Sequence, residues 1–128
     1  MPRKSLITLA IVVATALAVA GGGLSRGTAT PTLKGVVGPG FTIELTKGGK
    51  KVKSLKAGRY KFVVSDKSSI HNFVVERERP SKPKIEKRIT SVPFNGTKTV
   101  VMMLRAGRWS FYCAPHEAQM HGDFRVIR

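Results

Sequence analysis

From residue 41 onward, short apolar runs alternate with turn residues along the chain. Residues 41–46 place Phe, Ile and Leu at every second position, and the Lys-Gly-Gly-Lys that follows at 47–50 is typical of a hairpin turn. No segment carries an apolar stripe at helical spacing long enough to predict a helix. The pattern predicts an all-β sandwich of about seven to eight strands. The further runs, rich in the β-branched and aromatic residues that favour strands, lie at 52–55, 60–64, 70–75, 98–104, 109–113 and 124–127.

The first 38 residues have a different composition. A positively charged start precedes the apolar run Leu6–Ala20, which closes on Ala-Val-Ala and is somewhat short for a membrane span. We therefore predict that residues 1–20 are a signal peptide, with an uncleaved anchor as the alternative. Residues 21–38 are rich in Gly, Thr and Pro and are predicted to be a flexible leader. Residues 39–128 then form one domain outside the cytoplasm (periplasmic, cell-surface or secreted), with no stable membrane span once the signal is cleaved.

A charged segment interrupts the apolar pattern at residues 76–88. It contains Pro80 and Pro83, and proline cannot donate the hydrogen bond that a central strand requires. We predict a loop or a ragged sheet edge that connects the two halves of the sandwich.

The chain is strongly basic, with 23 Lys and Arg against 7 Asp and Glu. Removing Arg3 and Lys4 with the signal lowers the formal charge from +16 to +14. Such a charge attracts acidic proteins and anionic cell-envelope surfaces. Nucleic acid is not an expected partner, because the protein is predicted to be exported and carries no RNA-binding or helix-turn-helix signature.

Cys113 is the chain's single cysteine, so an internal disulfide cannot form. A lone thiol is a liability in an oxidising compartment, which suggests that something else occupies this sulfur. We expect the native protein to be a monomer.

The segment around Cys113 contains a metal-ligand pattern. Cys113, His116 and Met120 stand as C-x2-H-x3-M in a predicted loop between two strands. Thiolate, imidazole and thioether together suit copper, and two His, one Cys and a weak axial Met make the blue-copper arrangement. His71 can supply the second histidine from the run at 70–75. We expect one copper ion per chain.

These residues make the sequence resemble the plastocyanin-like branch of the cupredoxins, the small blue copper proteins. The resemblance covers about residues 38–128 and is closest at 66–73 (DKSSIHNF) and 113–122 (CAPHEAQMHG). It implies a Greek-key sandwich with copper near one end and electron transfer as the usual task.

The resemblance also implies roles for individual residues. Asn72, next to the first histidine, would tie the two ligand loops together and donate a backbone hydrogen bond to the thiolate. Many family members have one more residue between His and Met, which makes His121 the alternative axial ligand. Gly122 favours Met120, because the family typically has Gly two positions after its Met. Electrons would pass through the exposed edge of His116, ringed by Ala114, Pro115 and Gly40.

Other functions use the same residues. A copper carrier or buffer without a redox role would need the same four ligands, and a structural zinc site could use His71, Cys113, His116 and His121. An enzyme is not expected, since three histidines in total leave none for a second copper centre. If electron transfer is the task, the basic surface would attract an acidic redox partner.

Overall fold

The computed structural model describes residues 29–80 and 82–128. The predicted signal peptide and residues 21–28 of the leader lie outside them. The described chain forms ten strands and one short 3-10 helix at Ala114–His116. The strands are β1 (Thr32–Val37), β2 (Ile43–Lys47), β3 (Lys50–Lys51), β4 (Ser54–Lys56), β5 (Gly58–Asp66), β6 (Phe73–Arg77), β7 (Ile85–Thr90), β8 (Gly96–Leu104), β9 (Gly107–Tyr112) and β10 (His121–Ile127).

The strands form two five-stranded sheets that pack face to face. The first has the order β3-β2-β1-β5-β8, and the second has the order β4-β10-β9-β6-β7. Strand β1 runs parallel to β5, and β4 runs parallel to β10, while the other pairs are antiparallel. The predicted all-β sandwich is confirmed. Its strand count is higher than predicted, partly because two of the strands, β3 and β4, are only two and three residues long.

The core lies between the sheets and is built from alternate positions of the strands. Along β5, every second residue from Tyr60 to Asp66 is buried, as the period of a strand requires. The ring of Phe73 stacks on Phe111 with centroids 5.8 Å apart. Trp109 is fully buried, and its indole nitrogen donates to the Arg105 carbonyl. Burying each such side chain stabilises the fold by about 1.5–3 kcal/mol.

The predicted leader ends too late in the chain, because residues 32–37 form β1 in the middle of the first sheet. Leu33 and Val37 are fully buried there. Gly35, which made the segment look flexible, is a packing residue. A Cβ at this position would lie 3.0 Å from the Phe73 ring and from Val64.

The segment 76–88 is also more ordered than predicted. Strand β6 continues to Arg77, and β7 begins at Ile85, so the loop is confined to the residues around Pro80 and Pro83. Strand β7 pairs only with β6 and forms one edge of the second sheet. The prolines therefore interrupt the connection between two strands and not a strand itself.

All ten strands of the described chain lie between Thr32 and Ile127. A chain that starts at Gly21 or Ala29 therefore keeps every strand of the sandwich. Among the residues that the structure describes, no helix is long and apolar enough to cross a lipid bilayer.

Candidate metal centre

Three side chains from two loops converge at one end of the sandwich. The Nδ1 atoms of His71 and His116 lie 3.1 Å apart, and each lies 3.7 Å from the Sγ atom of Cys113. The point equidistant from the three atoms is about 2 Å from each, which is close to the length of a metal–imidazole or metal–thiolate bond. Among the described residues, these three are the group of His, Cys, Asp or Glu side chains placed to hold a metal ion.

The electrostatics of the group favour a bound cation. His71 and Cys113 are fully buried, and Nε2 of His71 has no hydrogen-bond partner in the described part of the chain. Its Nδ1 faces the Nδ1 of His116, so two ring nitrogens of the same kind point at each other. One cation between these atoms would be bound by both Nδ1 atoms and the Cys113 sulfur at once. Two imidazoles and a thiolate are a donor set that transition metals prefer, and the residues therefore fit a metal.

The chain from Cys113 to Met120 folds into a tight loop between β9 and β10. The Cys113 carbonyl accepts from the His116 amide, and the His116 carbonyl accepts from the Met120 amide. The Cys113 amide in turn donates to the Met120 carbonyl at 3.0 Å and closes the loop. Pro115, near the start of the 3-10 helix, restricts the backbone further. These bonds hold the thiolate and one imidazole in a defined relative position.

His71 comes from the loop between β5 and β6, two residues before β6 begins, and not from a strand as predicted. Buried Asp66 accepts from the Ser68 amide at 3.2 Å, and the His71 amide faces the Ser68 carbonyl at 3.4 Å. Gly38 packs against this loop with φ of +73°, and a Cβ there would lie 3.2 Å from Cδ2 of His71. The backbone thus approaches the histidine ring more closely than a side chain would allow.

Asn72 joins the two loops through its side chain. Its Oδ1 accepts from the Ala114 amide at 2.7 Å, and Asn72 is buried. The bond links the residue after His71 to the residue after Cys113. Movement of one loop relative to the other would break it.

The two candidates for the axial position lie in different surroundings. Met120 is fully buried and belongs to the core next to Cys113. His121 is exposed, and its Nδ1 lies 2.9 Å from the Glu117 carbonyl. His121 is not part of the group formed by the other three side chains.

Phe41 is a residue of this site that the sequence reasoning missed. Its ring meets the His71 and His116 rings edge to face, with centroids 5.4 and 4.9 Å apart. Phe41 is 56 % exposed, so it covers the histidines while facing solvent itself. The alternating pattern assigned it to the start of a strand, whereas it lies in the loop before β2. The only local signal was an aromatic residue directly after Gly-Pro-Gly.

Four loops make up this end of the sandwich, which we call the ligand pole: residues 38–42, 67–72, 91–95 and 113–120. His116 is half-buried there, and Gly40, Ala114 and Pro115 beside it are exposed. The four loops contain only two charged residues, Lys67 and Glu117. The surface around His116 is therefore mostly uncharged, in contrast to the protein as a whole.

Residues 34–127 match the family model of the copper-binding proteins of the plastocyanin/azurin family. The chain belongs to this family. The match covers nearly the whole described sandwich, including all three converging side chains. Copper is thus the metal of this centre, and the resemblance to cupredoxins is confirmed. A search of curated protein sequences finds no significant match.

Solved structures with the same fold have low sequence identity to this chain. The copper protein rusticyanin is 18 % identical, with a TM-score of 0.54 over 78 % of this cupredoxin and 79 % of its own chain. Auracyanin A, a "blue" copper protein from the green thermophilic photosynthetic bacterium Chloroflexus aurantiacus, is 17 % identical, with a TM-score of 0.50 over 74 % and 97 %. At these identities the similarity shows the fold alone.

Proposed function

We propose that this cupredoxin is an exported carrier of single electrons, with one copper ion held by His71, Cys113, His116 and Met120. The observation that carries the proposal is the convergence of the His71 Nδ1, His116 Nδ1 and Cys113 Sγ atoms within 3.7 Å of one another. One of the three residues, His116, is half-buried and so reaches the surface. Copper bound there supplies a Cu(II)/Cu(I) couple. Members of this family are typically electron carriers rather than enzymes, and they are generally found outside the cytoplasm or at membranes.

The chain's own residues would keep the ligands in place in both oxidation states. The loop hydrogen bonds, the Asn72 bond and the packed core all restrict movement of His71, Cys113 and His116. Surroundings that fix ligands in this way tune a metal centre. Met120 is the proposed weak axial ligand, with His121 as the alternative.

The half-buried edge of His116 is the proposed route for the electron. Its neighbours Gly40, Ala114 and Pro115 are small or flat, so a partner can approach closely. Since the surrounding loops are nearly uncharged, contact there depends on apolar surface more than on ion pairs. The partner is a redox protein, and the basic remainder of the surface favours an acidic one.

The first test is a visible spectrum of the chain starting at Gly21 during addition of Cu(II). We expect an intense blue band that saturates at one copper per chain, and a reversible one-electron wave by voltammetry. Cys113→Ser should abolish the band. A faint spectrum, with Cys113 still reactive to a thiol reagent, would contradict the copper–thiolate site.

The axial ligand is tested by a matched pair of variants. Met120→Gln should shift the band and the reduction potential, whereas His121→Gln should leave both unchanged. The opposite result would assign the axial position to His121.

The rates of electron exchange and of copper release distinguish an electron carrier from a copper carrier or buffer. An electron carrier should exchange electrons rapidly with a small reductant and release copper slowly to a chelator, because His71 and Cys113 are buried. Rapid loss of copper to the chelator would favour the copper-handling role instead.

A further inference from the structure

A cleft at the other end of the sandwich is lined by lysines. It has a volume of about 580 Å³ and lies between the β2–β3 hairpin, the segment leading into β4, and the start of β5. No acidic side chain lines it, and within the described residues none of its lysines is in an ion pair. All five lysines are exposed. We call this feature the lysine cleft; its cations are Lys47, Lys50, Lys51, Lys53 and Lys56.

The lysine cleft and the metal centre are at opposite ends of the molecule. Strand β5 starts beside the cleft, where Tyr60 lines it, and ends at Asp66 next to the His71 loop. A strand of nine residues spans on the order of 30 Å. An object bound in the cleft therefore leaves His116 accessible.

Charge is distributed unevenly over the surface. Glu76 lies on β6, Glu78 in the loop after β6, and Glu86 on β7. Glu76 and Glu86 pair with Lys84, and Glu78 pairs with Arg108. The ligand pole carries one residue of each sign, Lys67 and Glu117. The cleft groups five lysines in one place with no acidic residue in its lining, which makes it attractive to anions.

The N-terminal part of the chain reaches the sandwich at the same end. Pro31 lines the cleft, and its carbonyl accepts from the Lys61 amide as the chain enters β1. The sequence before it contains the apolar run Leu6–Ala20, for which an uncleaved membrane anchor is the alternative to a signal peptide. In a chain that keeps this run, only residues 21–30 separate it from Pro31, so the attachment point of the domain lies beside the lysine cleft.

We propose that the lysine cleft docks the domain onto the anionic headgroups of a lipid membrane, with the ligand pole directed away from the surface. The lysines provide attraction without specific geometry, as juxtamembrane basic clusters do. The proposal does not depend on the redox role of the copper centre. It gives the five lysines of the cleft a role at a membrane surface, whereas a redox partner would make contact at the opposite end, around His116.

The test is binding of the chain starting at Gly21 to vesicles of phosphatidylcholine with or without about 30 % phosphatidylglycerol, measured by co-sedimentation. Each lysine near an anionic surface contributes on the order of fivefold to affinity. We expect binding only to the anionic vesicles and its loss in about 0.5 M NaCl, because salt screens exposed charges.

A matched pair of variants separates the cleft from net charge. One carries Lys→Gln changes at 47, 50, 51, 53 and 56, and the control removes the same number of charges elsewhere. The cleft variant should lose at least tenfold more affinity than the control. Equal losses would overturn the proposal, since net charge alone would then explain binding. The control changes Lys34, Lys67, Lys87, Arg88 and Lys98 to Gln, all exposed and outside the cleft.

Two further measurements distinguish the occupant and the orientation. Half-displacement of the protein from vesicles should need more polyglutamate charge than the vesicles themselves carry. Half-displacement by less polyglutamate charge would assign the cleft to acidic proteins and overturn membrane docking. With copper bound, the rate of reduction by uncharged hydroquinone should be the same on vesicles as in solution. A marked slowing would place the ligand pole against the membrane and overturn the orientation. Only this last readout rests on the proposed function.

Discussion

Phe41 gives the two histidines of the metal centre an apolar cover. Its ring is held against both imidazoles by loop 38–42, in which the Gly38 amide donates to the Thr42 carbonyl at 2.9 Å. The apolar surroundings of a metal centre control its access to water and its redox potential. A single aromatic residue outside the ligand set thus has influence over the chemistry of the ligands.

Replacing Phe41 with Ala should lower the reduction potential, because water then reaches His116 and His71 and favours the more highly charged oxidised centre. Voltammetry of the copper-loaded protein measures this. Phe94→Ala is the control, since Phe94 lies on the same pole with Lys98 over its ring. Equal shifts in both variants would mean that Phe41 has no special role.

Asn72→Ala should weaken the connection between the two ligand loops. The variant leaves the Ala114 amide without its 2.7 Å partner, and losing such a partly buried bond costs about 0.5–1.5 kcal/mol. We expect a lower midpoint of urea unfolding together with a changed copper spectrum. A variant with normal stability and a normal spectrum would show that the bond is dispensable.

Gly122→Ala should destabilise the fold by about 1–3 kcal/mol, the usual cost of overpacking. A Cβ at Gly122 would overlap the Phe111 ring, which stacks on Phe73 and has little room to move. Thermal unfolding of the copper-free protein measures the effect apart from metal binding. Restored stability in Gly122→Ala combined with Phe111→Leu would confirm that the ring is the cause.

At the scale of elements, Glu78 in the loop after β6 lies near Asp123 on β10, and the two carboxyl groups repel each other. Burial, and next the carboxyl of Asp123, raise the pKa of Glu78 above its ordinary value of 4.5, although Arg108 opposes the shift. Because folding raises this pKa, the unfolded chain ionises first. Folding stability therefore falls as the pH rises from about 4.5 through the raised pKa.

Glu78→Gln removes this titration. The variant should be more stable than the wild type at pH 7 and should lose that advantage at about pH 4. The difference in unfolding free energy at pH 7 should be less than about 1 kcal/mol, because the carboxyl is partly exposed. Urea midpoints at the two pH values measure it. Glu44→Gln, an exposed glutamate on β2, shows the general effect of removing one negative charge. An advantage that is the same at both pH values would contradict the assignment.

The sequence predicted those strands whose apolar residues alternate. It placed Cys113 and His116 in one metal site because C-x2-H is a local pattern, and these two side chains converge with His71 in the structure. Met120 as the axial ligand stays a prediction. Sequence reasoning failed for β1, where Gly35 makes room for Phe73 and so lowers the apolar content of a central strand. It failed for β7, an edge strand whose burial is limited to its last two residues, Ile89 and Thr90. The contact of Phe41 with His116 joins loops some 75 positions apart, and no local pattern records it.

At the scale of the whole molecule, β1 decides where the folding unit begins. It lies between β2 and β5 and pairs with both along its length. Its two buried apolar side chains, Leu33 and Val37, each contribute about 1.5–3 kcal/mol, against a typical net stability of 5–15 kcal/mol.

A chain starting at Pro39 should therefore lack a cooperative unfolding transition, whereas chains starting at Gly21 and at Ala29 should be equally stable. Circular dichroism on heating distinguishes the three. Cooperative melting of the shortest chain would show that β1 is dispensable and that the predicted domain boundary at residue 39 is sufficient.

Both ends of the described sandwich lie far from the copper. Strand β1 begins beside the lysine cleft, and at the end of β10 the Ile127 carbonyl accepts from the Ala57 amide in the turn before β5. A fused domain or an affinity tag at either end would thus leave His116 uncovered. The same geometry suits immobilisation on a surface, since attachment through either terminus presents the ligand pole to the solution.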